Sequence, residues 1–357
     1  MRITRNPCEA FFPALMLAFA LSSCSPHQEL RQNNDPDRYT LVENVVWASP
    51  AGFDLGMDIY TPKSGRGPYP VIVMFHGGGW LINDKSIMNQ ASAYLATRAD
   101  YVVCNVDYRL LADNDNSVML NEVVDDAFGA VLWVKDHIGR YGGDKTRIAV
   151  TGDSAGGHLS AMVVNLGTRL SSTLFSEASP NFQPSYLPAG QTAEQVAALG
   201  GLDVQAAILS YGAFDVLQGA VGGFESLWNP FWLFSGSLPR GIFGSERNVT
   251  EHPKLYRALS PIRNIPHAEE RLLPPQLLTV GTEDPLVTPA SVKAYLHKLE
   301  SAGQPAEYWE YEGRPHAFLD SGSNAILGIS FEADAPEALD VMIRFLDEVF
   351  ARDPAPR

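Results

Sequence analysis

A serine flanked by glycines is the first place in this chain where chemistry could sit. Gly152-Asp153-Ser154-Ala155-Gly156-Gly157 follows the apolar run Ile148-Ala149-Val150 and leads into His158-Leu159-Ser160-Ala161-Met162-Val163-Val164. That reads as strand, sharp turn, helix. Glycine two residues either side of the serine suits a nucleophile elbow, where strand and helix approach too closely for a Cβ. The turn would lift the Ser154 hydroxyl clear of the sheet, at a helix N-terminus that favours developing negative charge. A G-x-S-x-G pattern is weak evidence by itself, so partners must be found elsewhere.

A serine nucleophile needs a base, an acid that orients the base, and donors for an oxyanion. His316 follows the strand-like Tyr308–Tyr311 in a short loop, and Asp284 follows Leu277–Val280 by a few residues. In a doubly wound sheet, groups just past strand C-termini converge. Two other acids compete: Glu283 is adjacent to Asp284, and Asp215 lies past Ile208–Tyr211, where a helix cap is its ordinary role. His158 would point down its helix, away from the elbow. The surface reading serves His27, His137, His252, His267 and His297. His76-Gly77-Gly78-Gly79 follows a buried apolar run, and a triglycine can turn its amides inward unobstructed. The expected donors are Gly78, Gly79 and Ala155, with His76 shaping the loop.

The elements that must position these groups alternate. Thr40–Trp47 and Asp54–Tyr60 read as a ribbon turned at Pro50-Ala51-Gly52. Val71–Phe75, Tyr101–Val106, Ile148–Val150, Ala206–Tyr211, Gln276–Val280 and Ala306–Tyr311 read as strands. Helices are expected near 85–98, 121–138, 291–301 and 337–351. This alternation predicts an α/β fold with a mostly parallel, doubly wound sheet. Two stretches break it. Residues 171–203 lack periodicity. Residues 214–272 crowd Phe224, Trp228, Phe231, Trp232, Phe234 and Phe243 outside the sheet rhythm, as a cap or lid over a pocket would. The main domain then spans 39–352.

The chain has 357 residues, 45% hydrophobic, with a net charge of −15, which argues against nucleic acid or an anionic membrane surface as a partner. Arg2 and Arg5 precede an 11-residue apolar run, Phe11–Leu21, too short to span a bilayer and suited to an export signal. Ala18-Phe19-Ala20 would permit ordinary cleavage and a secreted soluble form. Leu21-Ser22-Ser23-Cys24 resembles a bacterial lipobox, which makes 1–23 a signal, Cys24 the lipidated residue and 24–38 a tether. The expected address is then the cell envelope, at the outer membrane where the source has one, held only through that anchor. Cys104 is the one cysteine left for the fold, so no disulfide is expected.

Taken together, His-Gly-Gly-Gly-Trp at 76–80 and Gly-Asp-Ser-Ala-Gly-Gly at 152–157 resemble the hormone-sensitive-lipase-like carboxylesterases of the α/β-hydrolase superfamily. Asp107-Tyr108-Arg109-Leu110, Asp284-Pro285-Leu286 and His316-Ala317-Phe318 also fit, and so does the order Ser154, Asp284, His316. The resemblance runs from about Tyr39 to Phe350 and favours Asp284 over Glu283. It implies an α/β-hydrolase fold and hydrolysis of short- to medium-chain carboxylic esters through an acyl-enzyme, without a cofactor. The N-terminal helical cap common in that family has no counterpart here. An envelope address would suit ester groups on polysaccharides, acetyl or feruloyl among them. An amidase or arylformamidase would use the same machinery, a peptidase of the prolyl-oligopeptidase type is disfavoured because the chain is too short for the accompanying propeller, and a non-catalytic surface binding protein is a third alternative. No metal-ligand spacing is present, and Asp113-Asn114-Asp115-Asn116 reads as a solvated loop.

Overall fold

The computed structural model describes residues 37–325 and 327–352. The expected export signal at 1–23, lipidation at Cys24 and tether up to residue 36 lie outside them. The chain enters through an antiparallel ribbon, β1 (Tyr39–Ala48) and β2 (Leu55–Pro62), closed by a turn in which Ala51 and Gly52 take positive φ. β2 pairs antiparallel with β4 (Val102–Val106). The remaining pairs, through β3 (Tyr69–Phe75), β5 (Gly143–Asp153), β6 (Ala206–Ser210), β7 (Gln276–Gly281) and β8 (Ala306–Tyr311), are all parallel. The order across the sheet is β1-β2-β4-β3-β5-β6-β7-β8, an α/β-hydrolase fold. β3, β4 and β6 are buried along their length or nearly so, because helices cover both faces of a parallel sheet.

Five helices do most of that covering. α1 (Asn89–Arg98) packs on α10 (Phe331–Arg352), and α3 (Leu120–His137) on α4 (Ala155–Leu166). α9 (Pro289–Ser301) lies on β7 and β8, capped by Thr288, whose side chain accepts from the Ser291 amide. The shorter helices are α2 (Asp113–Asn116), α5 (Ala193–Ala198), α6 (Val216–Val221), α7 (Pro230–Phe234) and α8 (Pro253–Ala258). A two-residue hairpin, β9 (Ser323–Asn324) with β10 (Ile329–Ser330), precedes α10. No helix among the described residues is long and apolar enough to cross a membrane.

Sequence and structure differ at three boundaries. α10 starts at Phe331 and carries Pro336 within it, whereas the sequence places its start near Glu337. Tertiary contacts hold this extra turn: Asp334 accepts from the Ser330 amide at 2.7 Å and pairs with Arg314 at 2.8 Å, and Phe331 and Ala335 are buried. Lys85–Met88 forms a 3-10 turn before α1, since Asp84 caps it through the Ser86 amide. β5 reaches back to Gly143, ahead of Ile148.

The two insertions are held in different ways. In the first, the Gln183 amide donates to Asp125 Oδ1 at 2.7 Å, and Ser185 bonds to Asp126. Asp126 also receives Nε and Nη2 of Arg109, both at 2.8 Å, with neither residue more than 5% exposed. Removing one member of a buried ion pair strands the other. Arg109→Met is therefore expected to cost about 3–5 kcal/mol of stability, read as a lowered midpoint in urea. The second insertion closes on itself at its root. The Ile262 amide donates to Phe214 O at 3.1 Å, Arg263 pairs with Asp215 at 2.8 Å, and the Leu217 amide donates to Ser260 Oγ at 3.1 Å.

Candidate active site

Parallel register brings the candidate groups to one edge of the sheet. Phe75 at the end of β3 stands opposite Gly152 of β5, Asp153 opposite Ser210 of β6, and Gly281 of β7 opposite Tyr311 of β8. The loops leaving β3, β5, β7 and β8 carry His76–Gly79, Ser154, Asp284 and His316. They therefore open on the same side.

The elbow has the strain its glycines imply. Ser154 sits at φ 50°, ψ −112°, outside the regions L-residues favour, with its amide bonded to Ser210 O at 2.9 Å. A Cβ on Gly152 would meet the Gly156 backbone and Phe75 O, and one on Gly156 would collide with Phe75 O as well. Ala155 begins α4, so its amide is among the unpaired donors of that helix end.

Asp284 and His316 are joined. His316 Nδ1 lies 2.7 Å from Asp284 Oδ2, and both residues are buried. Asp284 Oδ1 accepts from the Leu286 and Val287 amides at 2.9 and 2.8 Å, which fixes the carboxylate. The rival acids have other places: Glu283 is exposed, and Asp215 caps α6 through the Gln218 amide while pairing with Arg263. Tyr211, itself at positive φ, sets its ring edge against the His316 imidazole at 4.8 Å. Among the described residues no hydrogen bond joins Ser154 Oγ to His316. In unliganded sites that contact is often long and tightens with substrate.

The loop 76–79 turns as expected. Gly78 and Gly79 have φ of 118° and 60°, and among the described residues their amides donate to no partner. His76 is buried, and its Nδ1–H donates to Gly77 O at 2.7 Å. Burial lowers its pKa, which keeps the ring neutral. Tyr108 stacks on it at 4.3 Å and donates its hydroxyl to His76 O at 2.6 Å. Asp107-Tyr108-Arg109-Leu110 thus has a structural job that spacing did not disclose. Tyr108 braces the loop, Arg109 anchors α3, and the next amide, Leu111, bonds Trp80 O at 2.8 Å.

His158 is buried too, and donates Nε2–H to Leu259 O at 2.8 Å. Burial pushes its pKa down to about 4, so it is neutral and serves packing between α4 and the second insertion. His252 and His297 meet surface glutamates, Glu177 and Glu300. In α2, Asp113 accepts from the Leu110 amide and Asn116 donates to Leu238 O, and no metal-holding group occurs among the described residues.

Aromatic side chains of the second insertion lie over this edge. Phe231 comes within 3.3 Å of where a Cβ of Gly79 would stand, and Phe224 meets the Trp80 ring edge-on at 5.5 Å. Asn229 Nδ2 and Trp232 Nε1 both donate to Phe224 O, which rigidifies that segment.

Among known proteins, the chain is similar to several esterases. The chain is 29% identical over 268 residues to the probable isoprenylcysteine alpha-carbonyl methylesterase ICMEL1 of Arabidopsis thaliana, covering 74% of this chain and 48% of that protein. It is 36% identical over 113 residues to carboxylesterase NlhH of Mycobacterium tuberculosis, covering 32% of this chain and 34% of the relative. The chain thus spans about half the length, or less, of these curated relatives. Among solved structures, Est2 of Thermogutta terrifontis with butyrate bound superposes with a TM-score of 0.60 at 25% identity, over 88% of this chain and 96% of that one. A truncated carbohydrate esterase from gut microbiota reaches a TM-score of 0.63 at 20% identity, over 89% and 99%, a likeness of fold. With residues 57–299 matched by its family model, the chain belongs to the BD-FAE family.

Proposed function

We propose that this protein is a serine carboxylesterase. The observation that carries the reading is a buried Asp284–His316 pair at 2.7 Å, on the sheet edge that also presents a strained serine and two unbonded glycine amides. In this reading His316 takes the Ser154 proton as Oγ attacks the ester carbonyl, and Asp284 orients the ring and stabilises the imidazolium. The amides of Gly78, Gly79 and Ala155 meet the oxyanion. The protonated His316 gives its proton to the departing alcohol. Water then attacks the acyl-enzyme by the same route, and carboxylate and free Ser154 result. None of these steps requires a cofactor or metal.

The butyrate in the Thermogutta relative and the ring of Phe231 beside Gly79 support short to medium acyl groups. Polysaccharide-borne esters remain part of the proposal, and rest on the export signal and lipidation at Cys24. The expected result is faster turnover of p-nitrophenyl acetate and butyrate than of octanoate, with palmitate slowest. An alkyl fluorophosphonate should modify one residue, which peptide mass spectrometry should place at Ser154. Modification elsewhere, or turnover of p-nitroanilides and formanilides without any of the esters, would overturn the reading.

A further inference from the structure

The residue before the serine is not a neutral spacer. Asp153 ends β5 and is 2% exposed, among the most deeply buried acids of the chain. Its Oδ2 lies against the Gly77 backbone, so close that a Cβ on Gly77 would collide with it. The other oxygen, Oδ1, is buried and has no hydrogen-bond partner among the described residues. The charge of Asp153 is felt by Tyr108 from the loop after β4, Tyr211 from the loop after β6, and His316 and Asp320 from the loop after β8.

Such a carboxylate is costly to bury. Desolvation pushes Asp153 up to about 6, and burial with the neighbouring charge pushes Asp320 well above its ordinary value. A turn between strand and helix needs no acid at this position. What the acid touches is the loop that carries Gly78 and Gly79. That loop has two fixed points: the His76 carbonyl, held by Tyr108, and Gly77, backed by the Asp153 carboxylate. The first belongs to the far side of β3. The second belongs to the residue covalently joined to Ser154.

We propose that Asp153 is a positioning residue, whose carboxylate packs against Gly77 and locks the oxyanion loop to the nucleophile so that Ser154 and the Gly78 and Gly79 donors keep one relative geometry. The kinetic part of this inference rests on the esterase reading. A loop displaced by an ångström would still bind substrate but would miss the oxyanion, whose position differs from that of the ground-state carbonyl. The loss therefore falls on kcat and leaves KM nearly unchanged.

Asp153→Ala is expected to lower kcat by roughly 10–100-fold, short of the effect of deleting an oxyanion donor outright, with KM within about threefold. A trifluoromethyl ketone, which forms an oxyanion on Ser154, should bind at least tenfold more weakly. Hydrogen–deuterium exchange should rise in the peptide covering 76–81 and stay unchanged in β5 and α4. Asp153→Asn keeps a planar group of the same size against Gly77, so it should recover part of the rate and of the protection. It also carries the test if the alanine variant does not fold.

A kcat within threefold of wild type in both variants would overturn the proposal, as would a parallel rise of KM. So would unchanged exchange at 76–81. If the wild-type protein hydrolyses no ester, the esterase reading falls by itself. The exchange experiment then still decides whether Asp153 holds the loop.

Discussion

Ser154→Ala is expected to lower kcat/KM on p-nitrophenyl butyrate by about 10⁴–10⁶-fold, with fluorophosphonate labelling lost entirely. The size follows from what a lone hydroxyl does in this arrangement. Without Oγ no acyl-enzyme forms, His316 has no proton to move, and only the amides of the oxyanion loop and substrate binding remain. Those keep a residual rate above water, which is why the expected floor is not zero. The variant should fold. Alanine must accept the same φ of 50° and ψ of −112° as serine, so the strain is neither relieved nor increased. The substitution removes a polar atom from a half-buried site and opens no core cavity. Urea unfolding and the butyrate assay on one preparation would separate lost chemistry from lost structure. Activity above about one per cent of wild type would rule out Ser154 as the nucleophile.

The second large effect belongs to Asp284→Asn, for which a fall in kcat of about 10³–10⁴-fold is expected. The pair at 2.7 Å requires the acid to accept from Nδ1–H, which leaves Nε2 free to act as base. Asparagine can satisfy the Leu286 and Val287 amides only with its oxygen, the role Oδ1 now plays. Its NH2 must then face His316. A donor facing Nδ1 favours the tautomer with the proton on Nε2, where it cannot take the Ser154 proton. Two backbone amides thus decide which way the substituted amide points. The geometry stays and the protonation state is wrong. The fall should show in kcat with little change in KM, and the variant should regain rate as pH rises and hydroxide replaces the general base. Equal loss in kcat and stability would instead mean that Asp284 serves only to hold its loop.

Much of this site was legible because each of its parts is marked by small or rigid residues after an apolar run. Gly152 and Gly156 announce the elbow, the triglycine announces the loop, and Pro285 and Pro315 flag the turns that carry the acid and the base. These are local signals, set by backbone sterics within a few residues. What escaped notice depends on distant segments. The bond from His158 to Leu259 crosses 101 positions, and Tyr108 meets His76 across 32. The contact of Asp153 with Gly77 joins loops 76 residues apart, and spacing gives no sign of it. The extra turn of α10 ahead of Pro336 is held by Arg314 and Ser330, and helix rules alone end it at the proline. Propensity reads neighbours in sequence; these features belong to neighbours in space.

The root of the second insertion is narrow: Phe214 O and the Ile262 amide share one hydrogen bond, with Asp215 and Arg263 paired beside it. Everything between leaves and returns through that gate, and β6 and β7 stay paired in register beneath it. The segment is also tied back to the scaffold where His158 meets Leu259 and Asn116 meets Leu238. Its length and composition can drift between those tie-points while the strands that carry the chemistry keep their spacing. Diversification of what this scaffold recognises has ready room there.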